Sequence, residues 1–430
     1  MEKDKKNIKI VKNNWINKII NNRQKKTKKN TKKAIAILVI TIIIVICIAG
    51  YFIVDVEKEK EEDRVAVTYK NNLTTEFRSN VKVSDFIESI NGTLLEDNKI
   101  DTTSLGEKEI TFKYKSKRNK DKTKTFKVNI VDTTKPKIFN ASSSLTFNKG
   151  YSGDLTQVFL SGDDCDSSPK REIIGDYDVN TVGNYNLTFK ITDASGNYET
   201  KDFTLKIVNP SGTTTKKAQT SKVKFQDAVN KYKNSKTSLG IDVSQWQGDI
   251  DWQKVKDAGA EFVFIRIGYQ KGFDKENAVD PYFTKNIEGA KKVGLKVGGY
   301  FFSYAKSAEE AKEQANYVLD QIKDYEFDLP ISFDWESFNS FTKCNLSFYD
   351  INNMAQTFIK TLEDGGYDGM LYSSKNYLTT IWYANEYDSI WLAHYSSRTD
   401  YNGKFKCWQR ANTGRISGIN ADVDIDVLEK

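Results

Sequence analysis

The segment Leu329–Ser337 reads LPISFDWES, and its reading decides how the last 190 residues are organised. After Pro330, the residues Ile331, Phe333 and Trp335 alternate with Ser332, Asp334 and Glu336. A period of two predicts a short strand, on which residues i and i+2 share a face. Asp334 and Glu336 therefore project together near the strand's C-terminal end. Two carboxyls held that close do not both ionise cheaply, so one keeps its proton near neutral pH. A proton donor beside a fixed carboxylate is the minimum equipment for cleaving a glycosidic bond.

Working outward, strand and helix patterns alternate. GIDVS (240–244), FVFIRIG (262–268) and LKVGGYFFSY (295–304) read as strands before the central one; GMLYSS, IWLAHYS and VDIDVL follow it. Helical patterns separate them, among them 307–325, with Ser307 as N-cap and Glu310 completing a capping box. This alternation predicts a parallel α/β sheet or barrel, and a barrel presents its functional residues at the C-terminal ends of strands. Acids stand at such places: Asp242 in the first strand, Asp334 and Glu336 in the middle, Asp424 and Asp426 in the last. Barrel closure makes the first and last strands neighbours, which would bring these acids over one mouth. The aromatic residues Trp246, Tyr300, Tyr304, Tyr372, Trp391, Tyr395 and Trp408 accompany them and suit the apolar faces of sugar rings.

Composition narrows the chemistry. The 430-residue chain carries a net charge of +7, but residues 1–33 alone hold 13 Lys or Arg against two acids. The remainder is slightly acidic, so the body has no nucleic-acid signature. A single histidine, His394, excludes His-rich metal sites, makes any Ser-His-Asp or Cys-His mechanism depend on that residue alone, and favours acids as the proton handlers. The four cysteines form no CxxC pair; Cys344 and Cys407 could pair, but free thiols are the preferred reading. No metal or cofactor is implied.

Upstream, the basic tail 1–33 is expected to be disordered. Residues 34–54 (AIAILVITIIIVICIAGYFIV) carry no charge. At about 1.5 Å per residue they match the ~30 Å hydrocarbon core of a bilayer. The basic flank on their N-terminal side predicts a cytoplasmic N-terminus and an external remainder. Next comes a repeat. Ile110, Phe112 and Tyr114 then Phe126, Val128 and Ile130 in one copy answer Leu187, Phe189 and Ile191 then Phe203, Leu205 and Ile207 in the other. Each set predicts a hairpin within a small β-sandwich. With the DTTKP junction at 132–136, residues 64–135 and 136–209 resemble bacterial immunoglobulin-like domains, which implies a spacer or adhesion role. Asp163, Asp164 and Asp166 read as a solvated loop, since the spacing of a calcium loop is missing. Residues 210–238 read as a linker, with a short helix near Phe225–Tyr232.

The separated motifs GIDVSQWQGDIDWQKVKDAGAEFVFIRIGY, GGYFFSYA, ISFDWES, IWLAHY, CWQ and VDID, across 239–430, resemble glycoside hydrolase family 25, the Chalaropsis-type lysozymes or N-acetylmuramidases. The resemblance implies an irregular (β/α) TIM-like barrel. It also implies hydrolysis of the β-1,4 bond between N-acetylmuramic acid and N-acetylglucosamine, with peptidoglycan glycan strands as partner. Position by position, Glu336 matches the family's general acid and Asp334 the aspartate two residues before it. Asp242 matches the first-strand acid and Asp424 the last-strand one. Trp246, Tyr300, Tyr304, Tyr372, Trp391, Tyr395 and Gln409 are the expected substrate contacts. Asp334 is expected to orient the substrate's N-acetyl group, whose carbonyl attacks the anomeric carbon; direct attack by water with Asp334 or Asp242 as base stays open. His394 stands where the family often has Arg, and Arg410 where an aromatic is common; His394 reads as structural. The whole is then an enzyme held on the cytoplasmic membrane through 34–54. That placement is compatible with a membrane-associated secretion or division complex. The alternative is a non-catalytic wall-binding or adhesion protein.

Overall fold

The computed structural model describes residues 2–64, 66–139, 142–210, 222–338 and 344–430. The chain divides into two compact units, 1–131 and 132–430.

The first unit opens with one helix, Glu2–Arg64. The apolar run is part of it, and the helix is long and apolar enough to cross a membrane. The expected disorder of the basic tail is corrected: residues 2–33 are helical too. No Gly or Pro occurs before Gly50, so nothing in the tail breaks the backbone ladder, and Lys, Arg and Gln are good helix formers. A four-stranded sheet (Thr74–Glu76, Asp121–Val131, Gly106–Ser116, Gly92–Leu94) and a two-stranded one (Val67–Tyr69 with Ile87–Ile90) follow. The predicted alternation holds here: Phe112, Tyr114, Phe126 and Val128 are buried in the core of this region.

The second unit begins with a related arrangement. Lys170–Ile174, Gly183–Thr192, Tyr198–Val208 and Ser144–Asn148 form one sheet, and Lys137–Ile138 pairs with Ser161–Gly162. Leu187, Phe189, Ile191, Phe203, Leu205 and Ile207 fill its core. The loop at Asp163 is not the solvated loop expected from its composition. Asp163 is fully buried, and its backbone carbonyl accepts from the Phe348 N–H at 2.8 Å. The Asp164 carbonyl accepts from Tyr349 at 3.0 Å, and its carboxylate accepts from the Tyr383 hydroxyl. Phe139 packs on Phe348 with ring centroids 5.5 Å apart. This sheet pair is thus fastened to the domain that follows.

That domain is a barrel of eight strands: β1 Thr237–Val243, β2 Phe262–Gln270, β3 Lys296–Ser303, β4 Ile331–Trp335, β5 Gly369–Ser374, β6 Ile390–Ala393, β7 Cys407–Arg415 and β8 Val423–Glu429. Strands β1–β7 run parallel in that order, and β8 closes the ring antiparallel to both β7 and β1. Helices α1 Trp252–Asp257, α2 Phe283–Lys292, α3 Ala308–Ile322 and α4 Phe348–Asp364 lie in the connections. Ser307 caps α3 as expected, its side chain accepting from Glu310 N–H; the Glu310 carboxylate reaches back to Lys306 N–H rather than Ser307. Phe333 and Trp335 of β4 face outward into the layer shared with the helices. Phe264, Met370, Tyr372, Trp391 and Cys407 fill the lumen. Gly298 on β3 is needed there, because a Cβ would fall 2.4 Å from the Phe264 ring. The helix Phe225–Tyr232 lies where the sequence places it, but it is not linker: Phe225 and Ala228 are buried in the barrel's outer core. Of the remaining linker expectation, Val223–Lys224 pairs with Gly414 and Arg415 of β7, Thr237 and Ser238 open β1, and 211–221 lies outside the described residues. All four cysteines are free, with Cys407 buried in the lumen and Cys344 half-buried.

Candidate active site

Barrel closure assembles the acids. Asp242 near the end of β1 is the cross-strand partner of Asp424 near the start of β8. Because β8 runs backwards, its beginning lies at the same mouth as the ends of β1–β7. On β4, Asp334 stands between Phe302 of β3 and Tyr372 of β5, and Glu336 follows one residue past the strand. Asp242, Asp334, Glu336 and Asp424 line one cavity of about 230 Å3. Trp246, Tyr300, Tyr372, Trp391, Tyr395 and Gln409 line it as well. Of the aromatics, Trp246 is 73% exposed at the mouth and Trp391 only 2% exposed. The first offers a platform and the second belongs to the floor.

Tyr304 requires a correction. It is not among the residues lining the cavity; β3 ends at Ser303, and the Tyr304 ring packs against Phe273 and Phe302 instead. Residue type alone did not reveal that the chain turns away there. His394 also stays outside: its Nδ1 shares a hydrogen bond with the Thr399 hydroxyl at 3.1 Å.

A polar lattice fixes the acids. Gln409 donates through Nε2 to Asp242 Oδ2 at 2.8 Å, while its Oε1 accepts from the hydroxyls of Tyr372 (2.9 Å) and Tyr395 (3.1 Å). Beneath them, fully buried Asp426 accepts from Trp391 Nε1 at 2.8 Å and acts on Asp242 as a like charge. Arg266 of β2, missed in the sequence, also lines the cavity. Its Nε donates to Asp280 at 2.7 Å, and the same Asp280 oxygen accepts from Gln245 N–H at 3.0 Å. The buried ion pair thereby anchors the turn Gln245–Gln247 that presents Trp246. Phe302, Ser244 and Gln247 complete the walls. An arginine inside FVFIRIG, the one charge in a run of buried residues, was the available signal.

Electrostatics follow from enclosure. Burial pushes Asp334 far above the usual carboxylate range, Glu336 and Asp242 push it further, and the Arg266 guanidinium opposes them. Glu336 reaches solvent at the rim, yet the surrounding walls still raise its carboxyl, against a hydrogen bond from Asp334 that lowers it. The two act as one unit that retains a proton near neutral pH. Burial, with Asp242 and Glu336 nearby, pushes Asp424 up to about 9. Asp242 is raised by burial and by Asp426. The site thus holds donatable protons beside carboxylate oxygens, with an aromatic shelf at the opening. This is the equipment for acid-assisted cleavage of an acetal.

The family described as glycosyl hydrolases family 25 matches residues 241–419. The uncharacterized protein YegX of Escherichia coli K12 is 32% identical over 199 residues, 45% of this chain and 70% of that protein. Lysozyme M1 of Streptomyces globisporus is 30% identical over 198 residues, 43% of this chain and 65% of that one. A solved family 25 glycosyl hydrolase from Bacillus anthracis is 25% identical, covers 46% of this chain and 89% of its own, and superposes with a TM-score of 0.38. With the family's motifs, its matching segment and a barrel mouth bearing the acids all in the same 190 residues, the chain belongs to glycosyl hydrolase family 25 and is a glycoside hydrolase of the lysozyme type.

Proposed function

We propose that the chain is a membrane-anchored muramidase that hydrolyses the β-1,4 bond between N-acetylmuramic acid and N-acetylglucosamine in peptidoglycan. One observation carries the reading: four carboxyls from β1, the end of β4 and β8 share a single cavity whose mouth bears an exposed tryptophan. Glu336, at the rim, gives its proton to the glycosidic oxygen as the bond from that oxygen to the anomeric carbon breaks. The carbonyl oxygen of the neighbouring N-acetyl group closes on that carbon, and Asp334 orients the acetamido N–H and balances its charge. Water then opens the cyclic intermediate and returns a proton to Glu336. Asp242, held by Gln409, and Asp424 crowd the mouth with carboxyls, so a further negative charge there is costly and the proton is retained until sugar arrives. Trp246 and Tyr395 give the glycan apolar surface to lie on.

In the same reading, residues 34–54 hold the enzyme in the cytoplasmic membrane with the basic end inside. Residues 64–135 and 136–209 are immunoglobulin-like spacers, and 239–430 form an irregular TIM-like barrel that acts on the wall outside. The test is release of new reducing ends from purified peptidoglycan, with Glu336→Gln as control. The reading requires that this variant bind the glycan and fail to open it.

A further inference from the structure

A second group of acids lies in the sheet pair ahead of the barrel. Asp132, Asp163 and Asp193 are all buried. Asp163 Oδ1 accepts from the N–H groups of Cys165 (2.9 Å) and Asp166 (2.8 Å). Its other oxygen, Oδ2, is out of contact with solvent and has no hydrogen-bond partner. Ligand atoms of Asp132, Asp163 and Cys165 lie within 4.8 Å of one another. The Cys165 thiol donates to Asp132 Oδ2 at 3.2 Å. Asp132 and Asp193 both act on Asp163 as like charges. Buried like charge of this density calls for a proton or a metal cation to offset it. A carboxylate with an orphaned buried oxygen, beside two further donors, is where a cation would sit.

We propose that Asp132, Asp163 and Cys165 form a divalent-cation site that fixes the loop joining the sheet pair to the barrel. Two carboxylates and a thiol suit a borderline ion such as Zn2+, which takes both oxygen and sulfur; Ca2+ would use the oxygens alone. Where sulfur ligates, the thiol proton leaves as the metal–sulfur bond forms. The consequence reaches the barrel through the backbone. The carbonyls of Asp163 and Asp164 accept from the first two N–H groups of α4, the helix after the strand that carries Asp334. An ion gripping the Asp163 carboxylate grips those carbonyls as well.

The test uses the full-length protein in detergent, stripped with a chelator and titrated separately with Zn2+ and Ca2+ by calorimetry and by thermal unfolding. One ion is expected per chain, with a rise in the unfolding midpoint. Asp163→Asn keeps the Oδ1 acceptor, so it should fold, bind at least tenfold more weakly and lose the rise; Asp132→Asn is the second variant should it not fold. Cys165→Ser identifies the ion, weakening Zn2+ binding through sulfur while sparing Ca2+ binding through oxygen. Asp334→Asn, in the barrel cavity, should bind metal as the unaltered chain does. The proposal is overturned by absence of binding for both ions, or by binding that survives both Asp163→Asn and Asp132→Asn or falls with Asp334→Asn.

Discussion

Two clusters of crowded acids in one chain have opposite surroundings. At the barrel mouth, Asp242, Asp334, Glu336 and Asp424 open on a cavity and are served by Gln409, Arg266 and several aromatic rings. At the loop joint, Asp163 is closed off from solvent with an unpartnered oxygen and backbone donors around the other. Burial, and crowding after it, raise carboxyl pKa values in both places. Neither therefore makes a catalytic centre by itself. What separates them is access: the first cluster can pass a proton to something lying in the cavity, whereas the second can only be neutralised in place.

The comparison is broken most severely by Glu336→Gln. Loss of the general acid should lower turnover of peptidoglycan about 10²–10⁴-fold, with the unfolding midpoint little changed. Asp163→Asn should leave turnover near that of the unaltered enzyme, since it touches nothing in the cavity. Equal losses from the two substitutions would erase the distinction. Next in size, Gln409→Leu removes the donor to Asp242 and the acceptor of two tyrosine hydroxyls. Asp242 and Tyr372 are buried, and each buried group left unpaired costs about 1–3 kcal/mol, so denaturant unfolding should show a loss of about twice that together with weaker activity.

The pH response sharpens the contrast. Asp424 is pushed up to about 9 in the folded chain, against an ordinary aspartate value of 3.8 when unfolded. Between those limits the folded state holds the extra proton, so stability from this group is complete below about pH 4 and is lost as pH rises toward 9. Thermal midpoints of the intact protein should fall across that window, and Asp424→Asn should flatten the fall. Turnover should also decline on the alkaline side as the Asp334–Glu336 pair gives up its proton. Smallest of all, Tyr383→Phe removes one hydroxyl bond to Asp164 at the joint. It should cost about 0.5–1.5 kcal/mol in denaturant unfolding and leave turnover intact.

Residues whose role is set by spacing were readable in the sequence; those whose role is set by direction were not. The hairpins were legible because Phe112 with Tyr114 and Phe203 with Leu205 recur every second residue at a boundary between core and water. The meeting of Asp242 with Asp424 followed from ring closure alone. Tyr304 was misplaced because an aromatic residue past a strand end carries no mark of where the chain turns. Arg266 was passed over because its partner, Asp280, lies outside the strand, 14 residues on. DDCDSSP looked like solvent-facing loop, yet its backbone carbonyls cap a helix of the barrel and draw Asp163 inside. The basic tail looked disordered by charge, where the lack of any Gly or Pro favoured continued helix.

The most direct test of the central claim is mass analysis of soluble fragments released from purified peptidoglycan by the full-length enzyme. The account predicts fragments ending in a reducing N-acetylmuramic acid, absent with Glu336→Gln. Fragments ending in reducing N-acetylglucosamine, the same yield from the variant, or glycan that is bound but never solubilised would contradict it.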